Sequence, residues 1–157
     1  MKVFLDTSVL LAGLIDFGPQ SRDALRIMAA VAERDVADAC TAWHCCLEFY
    51  SVATRLPAEF RLTPADADRL MKEEIFARLS VADLPAADRQ GLLERAVQDG
   101  IGGGRIYDAH IAEIARAAGV DVIVTDNRRH FLTSLRHGIK VETPAEFLAD
   151  QKRGGVT

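Results

Sequence analysis

Residues 120–127 read Val-Asp-Val-Ile-Val-Thr-Asp-Asn, and the run Val122–Thr125 is short, β-branched and free of charge. A run of that kind suits a central strand covered on both faces, as in a parallel sheet. Upstream, Arg105–Ala118 carries Ile111, Ala112, Ala115 and Ala118 at helical spacing, and Gly119 sits where a helix C-cap is expected. Helix then strand is the repeating unit of a βαβ sheet, and the rest of the chain follows it. Lys2–Leu5 reads as a first strand, followed by helices over Val9–Ile15 and Arg22–Glu33. Val36–Cys40 reads as a second strand, and Ala42–Arg55 as a helix with Thr41 as N-cap. Thr63 caps a helix that has Pro64 in its first turn and runs to about Ala77. Leu79–Leu84 is a third strand, Pro85–Gln98 a helix stopped by Gly100, Gly138–Val141 a last strand and Pro144–Asp150 a last helix. The expected fold is α/β, a parallel sheet with helices on both faces. Residues 1–150 form one domain in this reading, and 151–157, with Gly154-Gly155, a flexible tail.

The bulk numbers agree with one soluble domain. The chain has 157 residues, 49% apolar and 27% charged, which is ordinary for a globular protein. No apolar run approaches the roughly 20 residues of a membrane span. The N-terminal MKVFLDTSVLLAGLIDFG has an early Lys and an apolar stretch, but Asp6 interrupts it and no small-residue cleavage site follows. It reads as a strand, and the protein as cytoplasmic. Cys40, Cys45 and Cys46 are odd in number with two adjacent, a poor disulfide framework, and read as buried hydrophobes in a reducing compartment. The net charge of −4 argues against broad electrostatic binding of nucleic acid. It leaves room for an enzyme whose acidic site takes cations and whose basic residues are local.

Two acids follow strands directly: Asp6 after the first, Asp126 after Val122–Thr125. Ligands of such sheets lie at the carboxyl ends of the strands, so both acids belong to one rim. Each alone could be a helix N-cap. Together they repel unless a cation lies between them or one is protonated. Glu48 falls among Trp43, Leu47, Phe49 and Val52, and Asp108 lies in line with the buried stripe of its helix. A carboxylate there is costly unless paired or metal-bound. The alternatives are a salt bridge from Glu48 to Arg55, and for Asp108 a first-turn acid favoured by the helix dipole.

Four motifs carry a resemblance: D-T-S at 6–8, L-E-F at 47–49, I-Y-D-A-H-I-A at 106–112 and V-T-D-N-R-R-H-F at 124–131, with Gly102–Gly104 leading into the third. In this order, from Val3 to about Phe147, the chain resembles the PIN-domain nucleases, and among them the VapC-type toxins of toxin–antitoxin pairs. The resemblance implies a three-layer α/β/α sandwich. It implies that Asp6, Glu48, Asp108 and Asp126 gather in one pocket, bind Mg²⁺ or Mn²⁺ and hydrolyse RNA. Ser8 would orient Asp6 or a water on the metal, and Asn127 would support Asp126. It further implies a cognate antitoxin protein and a homodimer, with Leu11, Leu14, Phe17, Phe60 and Leu70 as interface or core. Arg128 and Arg129 open a basic stretch that reads either as a phosphate-guiding rim or as solvated surface. His44, His110, His130 and His137 are spaced neither as a metal pair on one helix face nor as part of a Ser-His-Asp set, and are assigned no catalytic role. The alternatives are a PIN-like module that binds RNA or a partner without cutting, and an RNA-processing nuclease that is not a toxin. A haloacid-dehalogenase-type phosphatase would need a second Asp where Ser8 stands.

Overall fold

A computed structural model describes residues 1–154. Five parallel strands form one sheet in the order β3-β2-β1-β4-β5. They are β1 (Val3–Leu5), β2 (Ala39–Ala42), β3 (Ser80–Ala82), β4 (Val122–Val124) and β5 (Lys140–Glu142). Every residue of β1, β2 and β4 is buried, so the three inner strands are covered on both faces. β1 lies at the centre, with Val3, Phe4 and Leu5 opposite Val122, Ile123 and Val124. Phe4, Leu5 and Ile123 are fully buried, each worth about 1.5–3 kcal/mol in apolar transfer. The edge strands β3 and β5 expose Ser80, Val81 and Lys140, as edges that must not recruit other strands tend to do.

Among the described residues seven α-helices flank the sheet: α1 (Thr7–Leu14), α2 (Arg22–Ala32), α3 (Trp43–Ala53), α4 (Pro64–Leu70), α5 (Arg89–Gln98), α6 (Arg105–Ala117) and α7 (Pro144–Gly154). α1 packs on α2 and α3, and α2 on α7, while α5 and α6 pack together with the 3-10 segment Arg128–His137. The three-layer α/β/α architecture expected from sequence is the one observed. At Gly13 a side chain would have no room, because a Cβ there would lie 2.5 Å from Met28 Cγ and 2.9 Å from the Ala24 carbonyl. α6 ends at Gly119, whose φ of 67° is the left-handed conformation of a helix stop. Leu11, Leu14, Phe17, Phe60 and Leu70 pack against the core, with the Phe17 and Phe60 rings 5.1 Å apart edge to face. No helix among the described residues is long and apolar enough to cross a membrane.

Several boundaries differ from expectation for local reasons. β2 begins at Ala39, later than the expected Val36, and Thr41 lies inside it. Thr41 is therefore not the cap of α3: its hydroxyl donates to the Leu5 carbonyl at 2.8 Å, satisfying the last acceptor of β1. Ala42 occupies the cap position and contributes no side-chain bond. Thr63 does cap α4, accepting the Asp66 N–H at 3.1 Å. The helix expected to reach Ala77 changes after Leu70 into a wider π-type turn over Met71–Phe76. Residues 151–154, expected as tail, complete the last turn of α7. The rest of that expectation falls on residues 155–157, outside the described residues.

Candidate active site

β1 and β4 end side by side, and each is followed at once by an acid. The Asp6 N–H donates to the Val124 carbonyl at 3.1 Å, which ties the end of β1 to the end of β4. The Asp6 carbonyl accepts the N–H groups of Val9 and Leu10 and so starts α1. Asp6 thus holds the N-cap position, yet its side chain makes no capping bond. Its carboxylate turns instead towards β4, where Oδ2 accepts from Thr125 Oγ1 at 2.7 Å and from Ser8 Oγ at 3.2 Å. Asp6 is only 4% exposed. Burial pushes its carboxyl above the usual range, the Thr125 hydrogen bond opposes the shift, and the charge of Glu48 adds to it.

Asp126 stands at the mouth of the same rim, exposed to solvent. Its N–H donates to Ser8 Oγ at 3.1 Å, and the N–H of Asn127 donates to Thr125 Oγ1 at 2.9 Å. Ser8 and Thr125 therefore bridge the two strand ends. Partial burial of the Asp126 carboxyl, helped by the charge of Asp23, raises its proton affinity. Asn127 acts here through its backbone. Among the described residues its side chain makes no hydrogen bond to Asp126.

Glu48 reaches the rim from α3. The buried face of α3 is Cys45, Cys46, Phe49 and Ala53, whereas Trp43 and Leu47 are exposed, so Glu48 is half-buried beside the core stripe and not within it. Its partner is His44, one turn earlier: Nε2 lies 2.9 Å from Glu48 Oε1. That bond holds the Glu48 carboxyl below its usual range, outweighing the burial that would raise it. The alternative of a salt bridge to Arg55 is not found among the described residues, where the partner of Glu48 is His44. His44 Nδ1 in turn lies 2.8 Å from His110 Nδ1 on α6.

Asp108 opens α6, which leads into β4 and so begins at the rim where β4 ends. Its Oδ2 lies 3.2 Å from His130 Nδ1. Asp108, His130, Arg105 and Arg129 line a cleft of about 220 Å³. Arg128, by contrast, points to Glu146, with Nη1 2.7 Å from Oε1. Sequence reasoning missed three of these histidines. His44 could have been suspected from its i,i+4 spacing to Glu48; His110 and His130 meet their partners only through the tertiary fold.

The structure thus groups Asp6 with Glu48, joins Asp6 to Asp126 through Ser8 and Thr125, and pairs Asp108 with His130. Among the described residues no three acidic, His or Cys side chains form a ready-made metal cage. Mg²⁺ asks for less, usually one or two carboxylates and several retained waters. One further observation fits a hard cation. Thr7 Oγ1, on the residue after Asp6, is the one buried side-chain polar atom without a partner among the described residues. The donors offered here, carboxylate and hydroxyl oxygens, suit Mg²⁺ or Mn²⁺.

Fold and rim define an α/β protein with a carboxylate site at the carboxyl edge of a parallel sheet. A family model described as PIN domain matches residues 2–129, and the chain belongs to the PIN-domain family. It is 34% identical over 124 residues to Ribonuclease VapC27 of Mycobacterium tuberculosis, covering 79% of this chain and 84% of that one. It is 30% identical over 123 residues to Ribonuclease VapC40 of the same organism, covering 78% and 85%. Among solved structures it resembles DNA-bound VapBC from Salmonella typhimurium, with a TM-score of 0.63 and 22% identity over 92% of this chain and 98% of that one.

Proposed function

We propose that this chain is a divalent-metal-dependent ribonuclease and the toxin of a type II toxin–antitoxin pair, working in the cytoplasm. The observation that carries the proposal is the buried Asp6 carboxylate, tied through Ser8 to the segment of Asp126 and within electrostatic reach of Glu48. Its relatives named as ribonucleases support the same reading. Asp6, Glu48, Asp108 and Asp126 are the residues that would hold Mg²⁺ or Mn²⁺, directly or through water. When bound, the ion supplies Lewis acidity towards the phosphodiester.

The chain's own side chains do the rest. Thr125 and Ser8 fix Asp6 Oδ2. Glu48, held at Oε1 by His44, would orient the attacking water. Arg105 and Arg129 have no carboxylate partner among the described residues, and they line the cleft beside Asp108. They draw the RNA backbone past an otherwise acidic rim. Arg128, paired with Glu146, contributes less. The antitoxin covers the rim and blocks it, in keeping with the VapBC complexes among the structural neighbours. Trp43 and Phe76, exposed and stacked with centroids 6.3 Å apart, offer apolar surface with Leu47 and Tyr50 to a second copy in the homodimer.

The test is cleavage of a structured RNA pool by the purified chain with Mg²⁺ or Mn²⁺, with EDTA, and by Asp108→Asn. Cleavage that needs metal and disappears in the variant is the expected result. A folded chain that binds these RNAs yet cuts none with either metal would make it a binding module.

A further inference from the structure

His44 and His110 meet nitrogen to nitrogen, with Nδ1 2.8 Å from Nδ1, while the other nitrogen of His44 lies 2.9 Å from Glu48 Oε1. Two imidazole nitrogens hold that distance when one carries the proton and the other offers a lone pair. An ionised carboxylate only accepts, so His44 Nε2 donates to Glu48. In a neutral His44 ring Nδ1 is then the acceptor. The proton between the rings therefore belongs to His110 Nδ1. The bonds run in one direction: His110 Nδ1–H to His44, then His44 Nε2–H to Glu48 Oε1.

The chain of bonds crosses between two helices that each carry a rim acid. His44 and Glu48 lie one turn apart on α3, and His110 lies two residues after Asp108 on α6. The Tyr107 ring stands 5.7 Å from that of His44 and flanks the pair. Asp83 and Arg89 are the other charged groups that His110 feels. The rings are part-buried, which limits competition from water.

We infer that His44 and His110 are positioning residues for the rim: His44 holds Glu48 Oε1, and His110 fixes the tautomer and orientation of His44. Glu48, on α3, is thereby tied to α6, the helix that carries Asp108. Such outer partners of a carboxylate ligand commonly govern metal affinity by 10–100-fold. The effect on metal binding rests on the site proposed above; the tautomers do not.

The test uses the full chain labelled with ¹⁵N-histidine at pH 8, free of metal. Long-range ¹H–¹⁵N spectra are expected to show His44 protonated at Nε2 and His110 at Nδ1, the less common form of a neutral imidazole in water. His110→Phe is expected to shift the His44 nitrogens and to weaken Mn²⁺ binding, read by electron paramagnetic resonance, about tenfold. His110→Asn, which keeps a donor near the Nδ1 position, is expected to recover most of that affinity. His110 protonated at Nε2 in the parent would overturn the inference. So would Mn²⁺ affinity within twofold of the parent in a folded His110→Phe, or a parent that binds no Mn²⁺. If His110→Phe does not fold, the parent tautomers and His110→Asn decide: tautomers as stated with near-parent affinity support the inference, and affinity lost despite the retained donor overturns it. A chain that shows the tautomers and the affinity loss but cuts no RNA would sink the nuclease reading and leave this one standing.

Discussion

Ser8 accepts the backbone N–H of Asp126 at 3.1 Å, a contact that spans 118 positions of sequence. The same hydroxyl donates its proton to Asp6 Oδ2 at 3.2 Å. One side chain thus fixes both strand ends of the rim. Ser8→Ala is expected to cost about 1 kcal/mol of stability and to lower kcat about tenfold, as for a misplaced catalytic group. Ser8→Thr, which keeps the hydroxyl, should retain most of the rate. Urea unfolding and single-turnover cleavage read the two effects separately, and an unchanged rate in Ser8→Ala would remove Ser8 from the site.

Asp6 carries a pH dependence whose sign is fixed by its burial. Desolvation raises its folded-state affinity for a proton above the ordinary value of 3.8. Its contribution to stability is therefore complete below that value and is lost as pH rises through the folded-state pKa. In EDTA at pH 7, well above the ordinary value, the cost of burying this carboxyl weakens the fold, so Asp6→Asn, which has no proton to lose, should melt a few degrees higher than the parent. The gap should narrow as pH falls towards 3.8. The same variant should lose at least about a hundredfold in cleavage, in line with removal of a metal-holding carboxylate. Thermal melts across pH check the first half; a variant that melts lower at pH 7 would mean Asp6 is not held as described.

Neighbouring arginines should behave differently. Arg129 lines the cleft at Asp108, while Arg128 is held 2.7 Å from Glu146. Arg129→Ala should weaken RNA binding and lower the slope of log affinity against log salt by about one unit. Arg128→Ala should change both much less. Filter binding of an uncut RNA by the Asp108→Asn chain over a salt series makes the comparison, and equal effects from the two variants would contradict it.

Gly13 lets α1 and α2 approach. A Cβ there would stand 2.5 Å from Met28 Cγ and 2.9 Å from the Ala24 carbonyl oxygen, and the backbone oxygen has little freedom to retreat. Gly13→Ala should cost about 1–3 kcal/mol, the usual price of overpacking. Its rate per folded molecule should stay near the parent's. A urea midpoint unchanged from the parent would show that the two helices can separate freely.

The parts of this fold that announce themselves in sequence are those governed by short-range rules. Val122–Val124 is apolar because both its faces are covered, Gly119 ends α6 because a left-handed residue must, and Thr63 caps α4 through a bond to its own helix. Asp6 and Asp126 could be placed at one rim because parallel strands end on the same side. Thr41 misled because a hydroxyl before a helix looks like a cap, while its real acceptor, the Leu5 carbonyl, is 36 residues away. The histidines were opaque for the same reason. His110 finds His44 across 66 residues, and nothing local to either ring marks the meeting.

The central place of β1 has a consequence for the order in which the molecule comes into being. Its partner on one side, β2, is complete by Ala42, but its partner on the other side, β4, begins only at Val122. Until residues 122–126 have left the ribosome, Asp6 has neither the Thr125 hydroxyl nor the Asp126 segment beside it. A nascent or truncated chain is then an unfinished sheet with a bare, apolar edge, prone to stick to other strands. For a protein proposed to cut RNA, including what its own synthesis depends on, a rim that closes only once β4 is made keeps each new copy inert until then.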